Sequence, residues 1–210
     1  MDALNTDRSI TDICNQAFEA IKEPTVSDVE KGTHSIHARA LKAYYRALRI
    51  VTGARPWERF KARRSLAAKS SPSIGGTVQD EFTTYCVLPA DCARVNAVIT
   101  THTGFATRSI PADEGGGQWL GVNATAPVKI EYTRLPSPPE MTDEFVGAVA
   151  ARLAWILSPR QTDSEGKKRS REDDAREAYR VAALADSAEA DNQELRIPSN
   201  WHDRMRGITS

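Results

Sequence analysis

The sequence has few cysteines and no long apolar run. Its 210 residues include three cysteines, Cys14, Cys86 and Cys92, and this odd number without a close C-x-x-C pair favours reduced thiols in a reducing compartment. The first residues lack the basic and apolar segments of a secretion signal. No apolar run approaches the roughly 20 residues that a membrane-spanning helix needs. These absences predict a soluble protein without a conventional export signal.

Recognisable catalytic and cofactor motifs are also missing. His34 and His37 lie three residues apart without a second group of metal ligands, so we interpret them as solvated histidines. Cys86 and Cys92 flank a turn but lack the four ligands of a zinc site, and we expect two small core residues. The glycines at 115–117 lack the following Lys-Ser/Thr of a phosphate-binding loop, and no serine nucleophile motif occurs. We therefore predict a protein that is not an enzyme, with no catalytic, cofactor-binding or metal-binding residues.

Charge is balanced overall but unevenly distributed. The 28 basic and 28 acidic residues give a formal net charge of zero, so no global excess of charge indicates a nucleic-acid or membrane partner. Residues 39–69, in contrast, contain ten basic residues and a single acid, Glu58. The same segment contains four aromatic residues, namely Tyr44, Tyr45, Trp57 and Phe60.

This basic and aromatic segment permits two interpretations. A nucleic-acid-binding surface needs exposed stacking groups and phosphate contacts focused on one side. We favour the interpretation that the aromatic side chains are buried and that the arginines face solvent or a neighbouring subunit. The alternative is a basic helical DNA-binding or regulatory protein that uses residues 39–64.

Apolar residues that recur every three or four positions predict the helices. The predicted helices cover residues 11–22, 35–53, 57–68, 142–158 and 164–187. Ser9 or Thr11 is expected to cap the first helix, and Thr142 the fourth. The fourth helix is apolar nearly all round, so we expect it to be buried within the subunit or against another one.

Alternating apolar and polar residues predict strands in the middle of the chain. The predicted strands cover residues 82–88, 94–101, 118–122 and 128–133, with a corner at Pro89. The fold class is therefore α+β, a bundle of about four helices with an inserted small antiparallel β domain and an extended C-terminal docking tail. The predicted divisions are a helical domain over 9–70 and 140–188, a β domain over 78–136 and an extended arm over 189–210.

Several short segments carry a resemblance to a known family through their order and spacing. They are Pro56-Trp57 before a basic run ending Arg64-Ser65-Leu66-Ala67, then Tyr85-Cys86-Val87-Leu88-Pro89-Ala90-Asp91-Cys92-Ala93-Arg94-Val95, Trp119, Val128-Lys129-Ile130-Glu131-Tyr132-Thr133-Arg134, Phe145-Val146-Gly147-Ala148-Val149, and Trp201 to Arg204. Together they resemble the tail tubular protein A and head-to-tail adaptor family of tailed bacteriophages. Two departures are Phe60, one residue later than the pattern expects, and Ala93, where leucine is usual.

The resemblance implies a structural virion protein without enzymatic activity. Members of the family form a homo-oligomeric ring, a dodecamer, that connects the portal in the head to the tail and surrounds the DNA channel. The implied partners are other copies of the chain, the portal protein, a tail nozzle or tail-completion protein, and genomic DNA that passes without sequence recognition. No membrane partner is implied. The implied location is the neck and tail of the virion, and the host cytoplasm during assembly.

Three surfaces are predicted to make these contacts. The predicted portal-docking residues are Leu195, Ile197, Trp201, Arg204, Met205 and Arg206. The predicted tail-facing loop contains Asp113, Glu114, Gly116 and Trp119. A basic helix that faces a neighbouring subunit or DNA is predicted to present Arg39, Arg46, Arg49, Arg59 and Arg63.

Overall fold

The structure is a computed structural model that describes residues 8–69, 73–74, 77–78, 81–99, 105–110, 117–158 and 165–194. Within these ranges the chain forms four α-helices, two three-stranded antiparallel sheets and one two-stranded pair. The fold is therefore mixed α+β, as the sequence predicts. No helix in these ranges is both long enough and apolar enough to cross a membrane.

The first two helices follow the predicted periodicity. Helix α1 covers Ile10–Ala20 and helix α2 covers Ser35–Gly53. Ser9 rather than Thr11 caps α1, because its hydroxyl accepts from the Asp12 amide at 3.2 Å while the Asp12 carboxylate accepts from the Ser9 amide at 2.8 Å. These reciprocal bonds satisfy two amide groups that a helix start otherwise leaves unpaired.

The prediction of a helix over residues 57–68 is wrong. A single 3-10 turn covers Glu58–Phe60, and strand β1 follows at Lys61–Leu66. β1 pairs antiparallel with strand β8, which covers Val128–Arg134. Ala62 and Leu66 pack against the apolar cluster of the strands, while the three residues between them are exposed. The pairing with β8 overrides the helical spacing of the apolar residues in this segment.

Six further strands complete the two three-stranded sheets and the two-stranded pair. They are β2 (Ser73–Ile74), β3 (Thr77–Val78), β4 (Thr84–Val87), β5 (Cys92–Val98), β6 (Phe105–Ile110) and β7 (Gly117–Val122), with β8 already described. The sheet orders are β1-β8-β5 and β4-β7-β6, while β2 pairs with β3. The predicted corner at Pro89 joins β4 to β5, but these two strands lie in different sheets and do not pair. Strands β2, β3 and β6 were not predicted.

The last two helices complete the helical part of the structure. Helix α3 covers Asp143–Leu157 and is capped by the Thr142 hydroxyl, which accepts from the Phe145 amide at 3.3 Å. Helix α4 covers Glu165–Glu194 and extends beyond its predicted end. α3 contacts α1, α2 and α4, which explains why it is apolar on most of its circumference.

A turn between β8 and α3 is fixed by one acidic side chain. Glu140 accepts from both terminal nitrogens of Arg134, at 2.9 and 2.5 Å, and from the Ser137 amide at 2.8 Å. The hydrogen bonds from Arg134 lower the pKa of Glu140 to about 2. The charged pair therefore persists through the mildly acidic range and joins the end of the sheet to the start of α3.

The buried apolar residues form two clusters. One cluster joins the four helices to Trp57 and Phe60, and the other lies among the strands around Leu120 and Ile130. Trp57 is 1% exposed, and its indole Nε1 donates to the Val51 carbonyl oxygen at 3.0 Å. The segment between α2 and β1 is therefore held inside the helical cluster.

Candidate interaction surfaces

Helix α2 presents a row of cations on one side, which we call the basic face. It consists of Arg39, Lys42, Arg46 and Arg49, at successive spacings of three, four and three residues. At 3.6 residues per turn, these positions lie within about 80° of one another around the helix axis. Three of the side chains are exposed and Arg39 is half-buried. The opposite side of α2 is buried against the helical cluster.

Two large side chains border the basic face. Tyr45 is 47% exposed and Ile50 is 37% exposed, one on each side of the row of cations. The prediction that the aromatic residues of this segment are buried is confirmed for Tyr44, Trp57 and Phe60, which are at most 2% exposed. It is wrong for Tyr45.

The five arginines predicted to share a basic helix do not lie on one element. Arg39, Arg46 and Arg49 lie on α2, whereas Arg59 lies in the 3-10 turn and Arg63 on strand β1. Arg59 pairs with Glu189 of α4, with both carboxylate oxygens 3.2 Å from Nη1. Arg63 pairs with Glu131 of β8 at 2.9 Å. Their charges are thus neutralised within the subunit.

A polar cluster fixes α4 to the segment that follows α2. Arg55 donates from Nη1 to the Ala183 carbonyl oxygen at 2.7 Å and from Nη2 to the Ser187 hydroxyl at 3.0 Å. Asp186 is 8% exposed and lies 3.4 Å from the Arg55 guanidinium. We call this group, with the amides of Glu58 and Arg59, the Arg55–Asp186 cluster.

The carboxylate of Asp186 also supports the 3-10 turn. Its two oxygens accept from the backbone amides of Glu58 and Arg59, at 3.2 and 3.4 Å. A carboxylate at the start of a helical turn satisfies amides that have no partner within the turn. The cluster therefore fixes both the path into β1 and the position of the second half of α4.

The second half of α4 has apolar side chains on its solvent-facing side as well as on the side that packs against the core. Val181 and Leu184 are 43% and 57% exposed, and Ala188 is exposed at the same angular position. Ala175 and Ala182, in contrast, are buried on the side that contacts the core. We call Val181, Leu184 and Ala188 the apolar face of α4. The sequence pattern does not identify this second apolar side.

Only one predicted residue of the tail-facing loop lies in the described part of the chain. Trp119 lies on β7 with Val87 of β4 opposite it on one side and Arg108 of β6 on the other. It is half-buried, and its indole Nε1 is buried without a hydrogen-bond partner among the described residues. The other three residues of the loop, Asp113, Glu114 and Gly116, lie outside the described ranges.

The portal-docking residues, Leu195, Ile197, Trp201, Arg204, Met205 and Arg206, also lie outside the described residues. The described chain ends within α4 at Glu194. The predicted arm over 189–210 therefore begins inside a helix, so the described part of the arm is helical rather than extended. The end of α4 is fixed to the core through Ser187 and Glu189.

The cysteines are core residues, as predicted, but of the two histidines predicted to be solvated only His34 is exposed, since His37 is half-buried with a buried Nδ1. All three cysteines are buried and free, and burial raises the pKa of the Cys14 thiol to about 12. The rings of His34 and His37 lie 6.0 Å apart between centroids. Among the described residues, no three His, Cys, Asp or Glu side chains are close enough together to hold a metal ion.

Comparison of the chain with models of known protein families and with curated proteins finds no match.

Proposed function

We propose that the protein is the subunit of a head-to-tail connector ring that joins the portal of a tailed bacteriophage to its tail and surrounds the DNA channel. The resemblance of the ordered sequence segments supports this function, and so does the presence of a helical cluster and a separate strand cluster. The alternative function, a basic DNA-binding or regulatory protein, has support from the basic face of α2.

We also propose how the domains of the subunit are arranged in the connector. The helices form one domain, the strands between α2 and α3 form an inserted β domain, and residues beyond α4 form an arm that docks on the portal. The segment from Asp113 to Trp119, which reaches into strand β7, faces the tail. The neighbouring copies of the chain, the portal and the tail-completion protein are the partners, and the ring is twelvefold.

The apolar face of α4 is the observation that carries the proposal. Val181 and Leu184 are large, exposed and adjacent, on a helix whose other side is already buried in its own subunit. Water contact with such a surface is unfavourable, and a neighbouring subunit would bury it. A contact between this face and a different surface of the next copy is heterologous and closes into a ring when the rotation permits.

Charge substitution on the apolar face tests the proposal. The double variant Val181→Glu, Leu184→Glu should lose ring formation, because two carboxylates would be buried without partners at the subunit contact. Its helical content and unfolding midpoint should stay close to those of the parent, since both side chains are exposed in the subunit. The particle mass is measured by light scattering, alone and with the portal ring.

A matched variant separates the surface from the charge. Arg176→Gln, Arg180→Gln changes the net charge by the same two units at exposed positions of α4, but outside the apolar face. We expect this variant to form the same particle as the parent. Equal loss of the ring in both variants, or an intact ring in the first, would contradict a subunit contact through the apolar face.

A further inference from the structure

The positive charge of the basic face of α2 has no carboxylate partner among the described residues. Helix α2 contains four cations and no carboxylate, and no acidic residue occurs between Glu30 and Glu58. None of the four cations forms an ion pair with a carboxylate in the described part of the chain. Like charges one turn apart oppose helix formation, so this arrangement weakens the isolated helix rather than stabilising it.

Several other arginines in the described part of the chain have carboxylate partners, unlike the four cations of α2. Arg59 and Arg63 pair with glutamates of distant elements. The exposed arginines of α4 pair within the helix, Arg176 with Glu172 at 2.7 Å and Arg180 with Glu177 at 2.6 Å. The row of cations on α2 therefore differs from these four arginines, each of which has a carboxylate partner.

A fifth cation extends the row beyond the end of the helix. Arg94 of β5 is exposed and donates from Nη1 to the Ala54 carbonyl oxygen, at the C-terminal end of α2, at 3.1 Å. Helix α2 contacts this strand. Burial and then Asp91 raise the pKa of the Cys92 thiol, at the start of the strand, to about 11, and the charge of Arg49 opposes this rise. Arg94 therefore adds a fifth cation beside the C-terminal end of α2, and we call these five cations the track.

The dimensions of the track match a phosphate backbone. Ten residues separate Arg39 from Arg49, which corresponds to about 15 Å at 1.5 Å per residue. One strand of duplex DNA places a phosphate every 3.4 Å along the axis, so about four phosphates occupy this length. Four cations at regular spacing therefore face about four phosphates.

The composition of the track favours nucleic acid over an acidic protein. Protein interfaces have an apolar centre from which charged residues are depleted. Here the centre consists of cations, and the two large side chains, Tyr45 and Ile50, lie at its borders. Arginine and lysine contacts to phosphates position a duplex without reading its sequence.

We propose that the track formed by Arg39, Lys42, Arg46, Arg49 and Arg94 binds the phosphate backbone of duplex nucleic acid without sequence preference. This binding belongs to a single subunit and does not depend on ring formation.

The test uses the full chain and two labelled DNA duplexes of 30 base pairs with unrelated sequences. Binding is followed by fluorescence anisotropy between 50 and 200 mM salt. We expect equal affinity for both duplexes and a plot of log K against log salt with a slope of about −3 to −4.5, because each phosphate contact contributes about −0.9. The triple variant Lys42→Gln, Arg46→Gln, Arg49→Gln should reduce the magnitude of the slope by about 2.7.

The control is a second triple variant, which removes three positive charges outside the track. Arg63→Gln, Arg176→Gln, Arg180→Gln neutralises three exposed arginines that have carboxylate partners, and it should keep the parental slope to within about one phosphate contact. Equal losses in both variants, or no binding at 50 mM salt, would overturn the proposal. Displacement of the duplex by millimolar inorganic phosphate at constant ionic strength would assign the track to a free anion and also overturn it. Circular dichroism establishes that both variants are folded.

Discussion

Replacement of Trp57 by alanine should lower the free energy of unfolding by about 3 to 5 kcal/mol. The indole is 1% exposed and packs edge-on against two rings, Phe145 of α3 at 4.9 Å and Tyr179 of α4 at 5.7 Å between centroids. The Arg55 guanidinium lies 5.3 Å from its ring centroid. Alanine would leave a cavity where α2, α3 and α4 meet and would leave the Val51 carbonyl oxygen without the indole donor.

Urea unfolding followed by circular dichroism measures this effect. The control is Trp57→Phe, which keeps an aromatic ring in the cavity but removes the hydrogen bond to Val51, so a loss of about 1 to 2 kcal/mol is expected. A loss below about 1 kcal/mol for the alanine variant would contradict the burial of Trp57 at the centre of the helical cluster.

The variant Asp186→Ala should lose about 2 to 3 kcal/mol of stability. Its carboxylate is buried and is the acceptor for the Glu58 and Arg59 amides as well as the partner of Arg55. Removal leaves a partly buried guanidinium and two amides without this acceptor, and an unpaired buried polar group costs more than its hydrogen bond contributes. The start of β1 and the second half of α4 should lose one of their connections, while the bonds of Arg55 to Ala183 and Ser187 remain.

Amide hydrogen exchange locates this change. We expect the Glu58 and Arg59 amides to exchange faster in the Asp186→Ala variant, while amides at the start of α3 keep their protection. Asp173→Ala is the matched control, because Asp173 is a largely exposed aspartate of the same helix, and its effect should stay within about 0.5 kcal/mol. Equal effects of the two variants would show that the Arg55–Asp186 cluster does not stabilise the fold.

The helices that could be predicted are those whose local signals agree. α1 and α3 have a side-chain cap followed by a regular apolar spacing, and α2 has the spacing alone. Strand β8 was predictable because its residues alternate strictly between buried and outward positions until Tyr132. In these segments propensity, capping and burial indicate the same structure, which is the condition under which sequence patterns are informative.

Strand β1 was missed because its evidence is not local. Trp57 and Phe60 have helical spacing, but they belong to the helical cluster through a 3-10 turn. The strand that follows is defined by pairing with β8, where Lys61 lies opposite Thr133. Ala62 and Leu66, its two covered apolar residues, lie four positions apart, a spacing that a helix also produces, so the local pattern does not identify the strand.

The candidate surfaces could be predicted only in part. The density of basic residues in the segment was evident, and so was their amphipathic spacing on α2. Which arginines remain unpaired could not be predicted, since Arg59 finds Glu189 across 130 positions and Arg63 finds Glu131 across 68. Exposure of Tyr45 likewise depends on which neighbours cover α2, and this is a property of the tertiary structure.

The native mass of the purified chain, measured with and without the portal ring at modest salt, tests the proposed connector most directly. We expect a ring of about twelve copies, as in the family that the sequence resembles, or a monomer that assembles into such a ring only on the portal. A monomer or dimer whose mass is indifferent to the portal would contradict the connector function. If DNA alone then raised the measured mass, the basic face of α2 would be the functional surface.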